Sequence, residues 1–236
     1  MIYVSSDWHG TSVENIKKLL DKANFSDEDF LFVIGDIIDR GEQGVELIKS
    51  IMFEPNIKLL RGNHEQMMLS CRFLFEEITK ESVDSFNVDK MLALANWQRN
   101  GGDATISALS KESAEMRSMI LEFIEDTPLY DTVSVGERDF LLVHGGLCVD
   151  EKGKLKKLSK CTADDLLWTR PDIFTEYSHD FMTVLGHTPT RYYGAEYKGR
   201  ILKTDTWIDI DVGAASGFPP ALLRLDDMKE FYLNDC

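Results

Sequence analysis

The sequence predicts a single α/β domain in which two β-sheets pack together and helices flank them. In the first third of the chain, short apolar segments alternate with segments of helical periodicity, which is typical of parallel strands joined by crossover helices. From Leu129 onward, short strands separated by turn residues follow one another, which indicates a second sheet that we expect to be antiparallel. The length of 236 residues fits one large domain spanning the whole chain.

The elements of the first half follow from local patterns. Apolar runs predict three strands, and apolar residues recurring at helical spacing predict the helices between them. In chain order these segments read IYVS, TSVENIKKLLDKA, DFLFVIGD, QGVELIKSIM, NIKLLRGN and HEQMMLSCRFLFEEI. We then expect a helical insert over about residues 83–126, beginning near Val83 and interrupted by a turn at NGGD.

The second half is predicted to be rich in short strands. Their segments read LYDTVSV, DFLLVHGG, MTVLGH, RILKTD, TWIDID, ALLRLD and KEFYL. The sequence shows no internal repeat, low-complexity tract or linker, which supports one domain. The basic run EKGKLKK, residues 151–157, is expected to be a solvated loop tip.

The charge balance limits the partners. With 26 Lys and Arg against 41 Asp and Glu, the formal net charge is −15. Such a surface disfavours nonspecific binding to nucleic acid or to anionic membranes, since both need a positive field. A site that handles phosphate would have to draw its positive potential from local arginines or metal ions. We therefore expect no nucleic-acid and no membrane partner.

The four cysteines form no CxxC pair and no closely spaced framework. In a chain of this length they are expected to be reduced thiols of a cytoplasmic protein. The sequence opens directly on a strand and has no apolar run near the roughly 20 residues of a transmembrane helix. The cysteines are Cys71, Cys148, Cys161 and Cys236.

Polar residues collect where the predicted strands end. The carboxyl ends of parallel strands share one edge of a sheet, so these residues should converge in space. The segments are SDWHG, GDIIDRG, RGNHE, VHGG and LGHTP. Taken singly, each histidine is more often structural, and Asn63 with Glu65 could simply cap a helix. Together, two aspartates, three histidines and an asparagine without thiolates suit a pair of Mn, Fe, Zn or Mg ions.

These five motifs, in this order, resemble the phosphoprotein phosphatase branch of the calcineurin-like metallophosphoesterases. They are most similar to small bacterial and phage Ser/Thr protein phosphatases, and WQRNGGDAT, from Trp97 to Thr105, resembles a segment of that subgroup too. The resemblance runs from Asp7 to His187. It implies a metallophosphoesterase-type two-sheet β-sandwich flanked by helices.

The resemblance also implies roles for individual residues. Asp7 and His9 would hold the first metal, Asp36 would bridge, and Asn63, His144 and His187 would complete the second site. His64 would be the general acid, oriented by Asp39, and the phosphate-binding arginines would be Arg40, Arg61 and Arg170. The implied cofactor is a pair of divalent ions, Mn²⁺ first, with Fe or Zn as alternatives.

The function implied in this way is hydrolysis of phosphoproteins at Ser/Thr, and at Tyr as a further option. The resemblance implies direct attack by a hydroxide that bridges the two metals, with a phosphorylated protein or peptide as the partner. Two alternatives stay open. One is a symmetrical diadenosine tetraphosphatase on the same fold, and the other is a non-catalytic scaffold. The sequence leaves the oligomeric state open.

Overall fold

The computed structural model describes residues 1–76, 79, 86–151 and 154–233. The strands in these ranges are β1 (Ile2–Ser5), β2 (Phe30–Ile34), β3 (Ile57–Leu60), β4 (Tyr130–Val135), β5 (Arg138–Val143), β6 (Met182–Leu185), β7 (Leu202–Lys203), β8 (Trp207–Asp209), β9 (Leu222–Arg224) and β10 (Lys229–Phe231). The α-helices in them are α1 (Val13–Ala23), α2 (Gly44–Ile51), α3 (Asn63–Ser70), α4 (Val88–Arg99), α5 (Asp103–Leu109), α6 (Ala114–Glu125) and α7 (Ala163–Trp168).

The strands form two five-stranded sheets. The first has the order β10-β9-β1-β2-β3 and the second the order β4-β5-β6-β8-β7. In the first sheet β1, β2 and β3 are parallel, as the alternation with helices predicted. The predicted two-sheet α/β class is thus confirmed.

The expectation of an antiparallel second sheet is wrong in two respects. First, β5, β6 and β8 are parallel to one another, because helical and irregular crossovers bring the chain back to the same end between them. Second, β9 and β10 leave this sheet and add antiparallel to the edge of β1 in the first. Short strand patterns do not specify which sheet a hairpin joins.

The core between the sheets comes from alternate residues of the strands. Val4, Phe32 and Ile34 of the first sheet share one buried cluster with Phe140 and Val184 of the second. The intervening residues of β2 are buried on the opposite face, against the helices. This two-sided burial explains why FLFVI is apolar at every position, since each face of the strand is covered.

Helices α1, α2 and the insert pack on the outer face of the first sheet. Trp97 of α4 and Ile120 of α6 lie in the same buried cluster as the outward residues of β1 and β2. The expected start of the insert, Val83, lies outside the described residues. Helix α3 ends at Ser70, earlier than the sequence pattern predicted, and a 3-10 turn over Arg72–Leu74 follows.

One cysteine expectation is wrong. Cys148 and Cys161 form a disulfide, with their Cα atoms 6.0 Å apart. The segment between them folds back through an isolated β-bridge from Val149 to Leu155, which brings together two cysteines that have no motif spacing. Cys71 is free and buried. Cys236 lies outside the described residues.

Two further expectations concern the surface. In the basic run, Lys154, Lys156 and Lys157 are exposed, as expected of a solvated loop, while Lys152 lies outside the described residues. No helix in the described part of the chain is long and apolar enough to cross a bilayer.

Candidate dimetal active site

The strand ends of both sheets meet at one edge of the sandwich. The residues that follow β1, β2 and β3 there face those that follow β5 and β6. Six non-glycine residues at this edge have a positive φ, a conformation that L-residues adopt at a cost of roughly 1–3 kcal/mol each. They are Asp7, His9, Asp36, Asp39, Arg40 and His187. Strain gathered at one edge indicates a functional site.

Asp36 lies at the centre of two clusters of donor atoms. Its carboxylate joins His9 and His64 in one cluster and His144 and His187 in the other, and within each cluster the donor atoms lie within 4.8 Å of one another. Asp7 extends the first cluster, since its Oδ1 lies 3.7 Å from His9 Nε2. All these side chains are buried. The structure thus brings together the five titratable residues predicted as ligands.

Asn63, the sixth predicted ligand, faces His144. The Nδ1 of His144 lies 2.8 Å from the Ile34 carbonyl, which fixes this nitrogen as the donor. The Nε2 lone pair then faces Asn63 Oδ1 at 2.9 Å and Asp36 Oδ1 at 3.3 Å. Three acceptor atoms pointing at one another need a cation between them, either a proton or a metal.

The pKa values of the histidines in this pocket also reflect the need for a cation between the acceptor atoms. Burial opposes protonation of His144, but the adjacent Asp36 carboxylate outweighs it and raises the pKa of His144 to about 10. Burial lowers the pKa of His9 to about 3 and that of His187 to about 2, so both present neutral imidazoles. Neutral imidazole is the form that binds metals.

The donor set fits a pair of divalent metal ions. Asp7 Oδ1 and His187 Nε2 are buried and have no hydrogen-bond partner, which is costly unless something else contacts them. Carboxylate and amide oxygens with imidazole nitrogens, and no thiolate, suit ions such as Mn²⁺, Fe or Zn²⁺. The residues present therefore fit the metal centre that the motifs predicted.

His64 and Asp39 form a buried pair beside the first cluster. His64 Nδ1 lies 2.6 Å from Asp39 Oδ2, so Nδ1 carries the proton and Nε2 faces Asp36 Oδ2 at 3.8 Å. Burial opposes protonation of His64, but Asp36 and Asp39 outweigh it and raise its pKa. His64 is thereby suited to carry a proton at Nε2 within the site.

Glu65 fixes the loop that carries Asp36. Its carboxylate accepts from the backbone N–H groups of Asp36, Ile37 and Gly62 at 2.8, 2.9 and 2.9 Å. Asp36 Oδ1 in turn accepts from the His64 backbone N–H. A Cβ atom at Gly62 would collide with Asp36 Oδ1, so this close approach requires glycine. Glu65 therefore joins the ends of β2 and β3.

The three predicted arginines take different positions. Arg40 donates to Nε2 of His9 at 3.0 Å and of His64 at 3.1 Å, so it lies directly over the first cluster. Arg170 donates to the His187 carbonyl and to Thr188 Oγ1, both at 3.0 Å. Arg61 instead donates to the carbonyls of Glu125 and Thr127 at the end of α6. This geometry gives a phosphate contact by Arg61 no support.

A cleft of about 600 Å³ opens beside the second cluster. Its wall includes Arg40, Arg170, His187, Thr188, Arg191 and Tyr192. None of the described lysines of the basic run lines it. The cleft joins the metal-binding edge to the surface, which makes it the natural path for substrate.

Sequence reasoning missed several residues of this site. Glu65 was visible only as a helix cap, and its carboxylate does accept from the Gly62 backbone N–H at the start of α3. Thr105 lay within the segment WQRNGGDAT without an assigned role. Arg191 and Tyr192 lie two and three residues after the GHTP motif, and no pattern in the sequence marked them.

Comparison with known proteins identifies one family for this chain, and the relatives in it are named for different activities. Residues 1–211 match the calcineurin-like phosphoesterase family. A symmetrical bis(5'-nucleosyl)-tetraphosphatase from Buchnera aphidicola is 35% identical over 42% of this chain, and the match spans 37% of that protein's length. Serine/threonine-protein phosphatase 1 from Salmonella typhimurium is 24% identical over 80% of this chain and 79% of its own.

A solved structure shows the same fold. The cold-active protein-tyrosine phosphatase of a Shewanella species superposes with a TM-score of 0.59, covering 99% of this chain and 80% of its own at 18% identity. The comparisons thus agree on the calcineurin-like phosphoesterase family, and the substrates named for the relatives differ.

Proposed function

The chain belongs to the calcineurin-like phosphoesterase family, and from this premise we propose that it is a metal-dependent phosphoprotein phosphatase. The proposed substrates are phosphate monoesters on Ser and Thr, with Tyr as a further option. The observation that carries the proposal is the His64–Asp39 pair, which holds a protonatable nitrogen beside the residues that fit a metal centre. A scaffold with no activity would have no use for this buried arrangement.

The proposed metal ligands follow the two clusters. Asp7, His9 and Asp36 would hold one ion, and Asp36, Asn63, His144 and His187 the other. When bound, two such ions would neutralise phosphate oxygens and lower the pKa of water far below its bulk value. Mn²⁺ is the proposed ion, with Fe or Zn as alternatives, because the mixture of carboxylate, amide and imidazole donors contains too much nitrogen for a Mg²⁺ site.

His64 would serve the leaving group. Hydrolysis of a phosphate monoester expels an alkoxide, which is a poor leaving group unless it is protonated. With Nδ1 donating to Asp39, the Nε2 proton of His64 is free to go to the departing oxygen, and Asp39 stabilises the cationic imidazole before transfer. Acid catalysis of this kind contributes roughly 10²–10⁴-fold.

Arg40 and Arg170 would bind the non-bridging phosphate oxygens. Both guanidinium groups lie in the wall of the cleft that leads to the metal centre. A guanidinium matches phosphate with two parallel hydrogen bonds. Arg40 would exchange its present bonds to His9 and His64 for phosphate oxygens, which also leaves His64 Nε2 free to carry its proton.

A second candidate is hydrolysis of diadenosine tetraphosphate. It is favoured by the arginine-lined cleft, which could hold phosphates that are not cleaved, and by the name of the Buchnera relative. Against it, a tetraphosphate carries roughly one negative charge per phosphate, and most of this charge would lie beyond the metals in a protein of net charge −15. Phosphoprotein hydrolysis is therefore the preferred proposal.

A substrate panel tests the proposal. The Mn²⁺-loaded protein is assayed on phosphoserine, phosphothreonine and phosphotyrosine peptides, on p-nitrophenyl phosphate and on diadenosine tetraphosphate, and kcat/KM is compared. We expect the phosphopeptides to exceed diadenosine tetraphosphate. Symmetrical cleavage to ADP with a tenfold higher kcat/KM than any phosphopeptide would replace the proposal by the second candidate.

A further inference from the structure

The wall of the cleft beside His187 includes an arginine, Arg191, that has no role in the proposed phosphate hydrolysis. Three arginines line the cleft, and no aspartate or glutamate is among the described residues of its wall. Arg40 and Arg170 face the metal-binding clusters, as described above. Arg191 lies farther along the chain from His187, on the 3-10 turn Thr190–Tyr192.

Arg191 is held in place without an acidic partner. Its guanidinium stacks on the Tyr192 ring, 5.0 Å from the centroid, and Nη2 lies 3.4 Å from the Tyr192 hydroxyl. Nη1 approaches Gly213 on the facing turn, 3.7 Å from the position that a Cβ there would take. No carboxylate of the described residues forms an ion pair with it, whereas Arg72 and Arg224 pair with Glu125 and Asp227.

A half-buried arginine that has no carboxylate partner among the described residues is suited to receive an anion. Acidic groups outnumber basic ones in this chain by 41 to 26, so an unpaired arginine in a wall free of acids stands out against the surrounding surface. The Arg191 hydrogen bond and charge, with smaller effects of Arg170 and Arg40, also lower the pKa of the Tyr192 hydroxyl. The three arginines line one cleft, so their positive charges add at any anion bound there.

On the proposed function, the anion that reaches Arg191 belongs to a peptide. Arg191 covers one face of the Tyr192 ring, and Tyr192 is 69% exposed in the wall of the cleft. Pro189, Ala215 and Ser216 complete the described wall and add no charged group to it. An extended peptide that enters the metal centre through the cleft would pass a neighbouring side chain along Arg191.

We propose that Arg191, oriented by Tyr192, binds an acidic side chain that flanks the phosphorylated residue of the peptide substrate. This inference rests on the proposed phosphoprotein phosphatase function and specifies its substrate class. A carboxylate there would accept charge-assisted hydrogen bonds from the guanidinium. Peptides with an acidic neighbour are then preferred by about tenfold in kcat/KM, the effect of one hydrogen bond to a charged group.

The test uses matched phosphoserine peptides. Each carries a single Glu, Gln or Lys at one of the three positions on either side of phosphoserine, and kcat/KM is measured with the Mn²⁺-loaded protein. At one or two positions we expect Glu to exceed Gln by about tenfold and Lys to fall below Gln, mainly through KM. Equal kcat/KM for Glu and Gln at every position would overturn the inference.

Variants then assign the preference to Arg191. Arg191→Glu should abolish or reverse the preference for the Glu peptide over the Gln peptide in kcat/KM. Arg191→Lys should retain part of this preference. Tyr192→Phe, which keeps the stacked ring, should retain more of the ratio than Tyr192→Ala. Lys17→Glu makes the same change in net charge on the exposed face of α1 and should leave the ratio unchanged. A ratio that survives Arg191→Glu would assign the preference elsewhere and refute the proposal.

The experiment separates this inference from the proposed function. If wild-type protein hydrolyses phosphopeptides but ignores the flanking residue, the subsite is refuted and the phosphatase function stands. If no phosphopeptide is hydrolysed while p-nitrophenyl phosphate or diadenosine tetraphosphate is, the phosphoprotein function fails, and the subsite fails with it. Loss of diadenosine tetraphosphate hydrolysis in Arg191→Glu, without any effect on peptides, would assign Arg191 to a nucleotide substrate.

Discussion

Trp97 donates its indole N–H to Asp39 over 2.8 Å, although 58 residues separate them in the chain. The same oxygen, Asp39 Oδ2, accepts a hydrogen bond from His64 Nδ1. Thr105 contacts the other oxygen, and its Oγ1 accepts from the Asp39 backbone N–H at 3.0 Å. The helical insert therefore fixes the carboxylate that orients the proposed general acid, which explains why WQRNGGDAT accompanies the strand-end motifs.

Removing the Thr105 hydroxyl, which donates to Asp39 Oδ1 and accepts from the Asp39 backbone N–H, should weaken the acid without removing it. Thr105→Val keeps the size of the side chain but withdraws the hydroxyl from Asp39. We expect kcat on an alkyl phosphate to fall about tenfold, since one hydrogen bond to a charged group is lost. Thr132→Val, on the exposed side of β4, is the matched control and should have no effect.

A double variant distinguishes positioning from a general loss of structure. In a His64→Asn background the acid is already absent, so Thr105→Val should cost little more. If Thr105→Val lowers kcat equally with and without His64, it acts on something other than the acid.

His64→Asn should lower kcat on alkyl phosphates by about two to four orders of magnitude. The loss should shrink for aryl esters with acidic leaving groups, because these depart without protonation. The measurement is kcat across esters whose leaving groups differ in pKa, with metal content determined in parallel. An equal loss for every ester would exclude a role of His64 as general acid.

Metal binding should both activate and stabilise the protein. We expect protein treated with EDTA to be inactive and to regain activity best with Mn²⁺, with Mg²⁺ poorer, because imidazole nitrogens suit the softer ion. The melting temperature should rise with added Mn²⁺, since the ion binds the folded state. Full activity in excess EDTA would contradict the dimetal centre.

Within that centre, Asp36→Asn should reduce metal content most, because Asp36 belongs to both clusters. Elemental analysis and the Mn²⁺-dependent shift in melting temperature measure this without relying on activity. Asp21→Asn, an exposed position on α1, is the matched control and should bind metal normally. Two metals retained by Asp36→Asn would show that Asp36 does not bridge.

Glu65 should matter for stability rather than for chemistry. Glu65→Ala leaves four buried backbone N–H groups without this acceptor, which costs about 3 kcal/mol or more and lowers the melting temperature by roughly 10 °C. Glu28→Ala, at an exposed loop position, should be nearly neutral. Thermal unfolding of both variants measures this. A Glu65→Ala melting temperature within 2 °C of the wild-type value, a shift that corresponds to about 1 kcal/mol, would contradict the predicted loss of stability.

The sequence alone determined the fold class and the position of the candidate site. Strands and helices of the first half followed from apolar periodicity, because each element buries one or both faces against a fixed neighbour. The convergence of Asp7, Asp36 and Asn63 followed from the rule that parallel strands end at one edge. The full ligand set, with His144 and His187, was implied by the family resemblance. Their roles in catalysis stay predictions.

The tertiary structure decided what depends on contacts between distant segments. It placed β9 and β10 in the first sheet and paired Cys148 with Cys161, since short strands and isolated cysteines carry no local signal of their partners. It directed Arg61 to the end of α6 and Arg191 into the cleft. A guanidinium on a flexible stem takes its direction from the groups that surround it, and those groups meet only when the chain is folded.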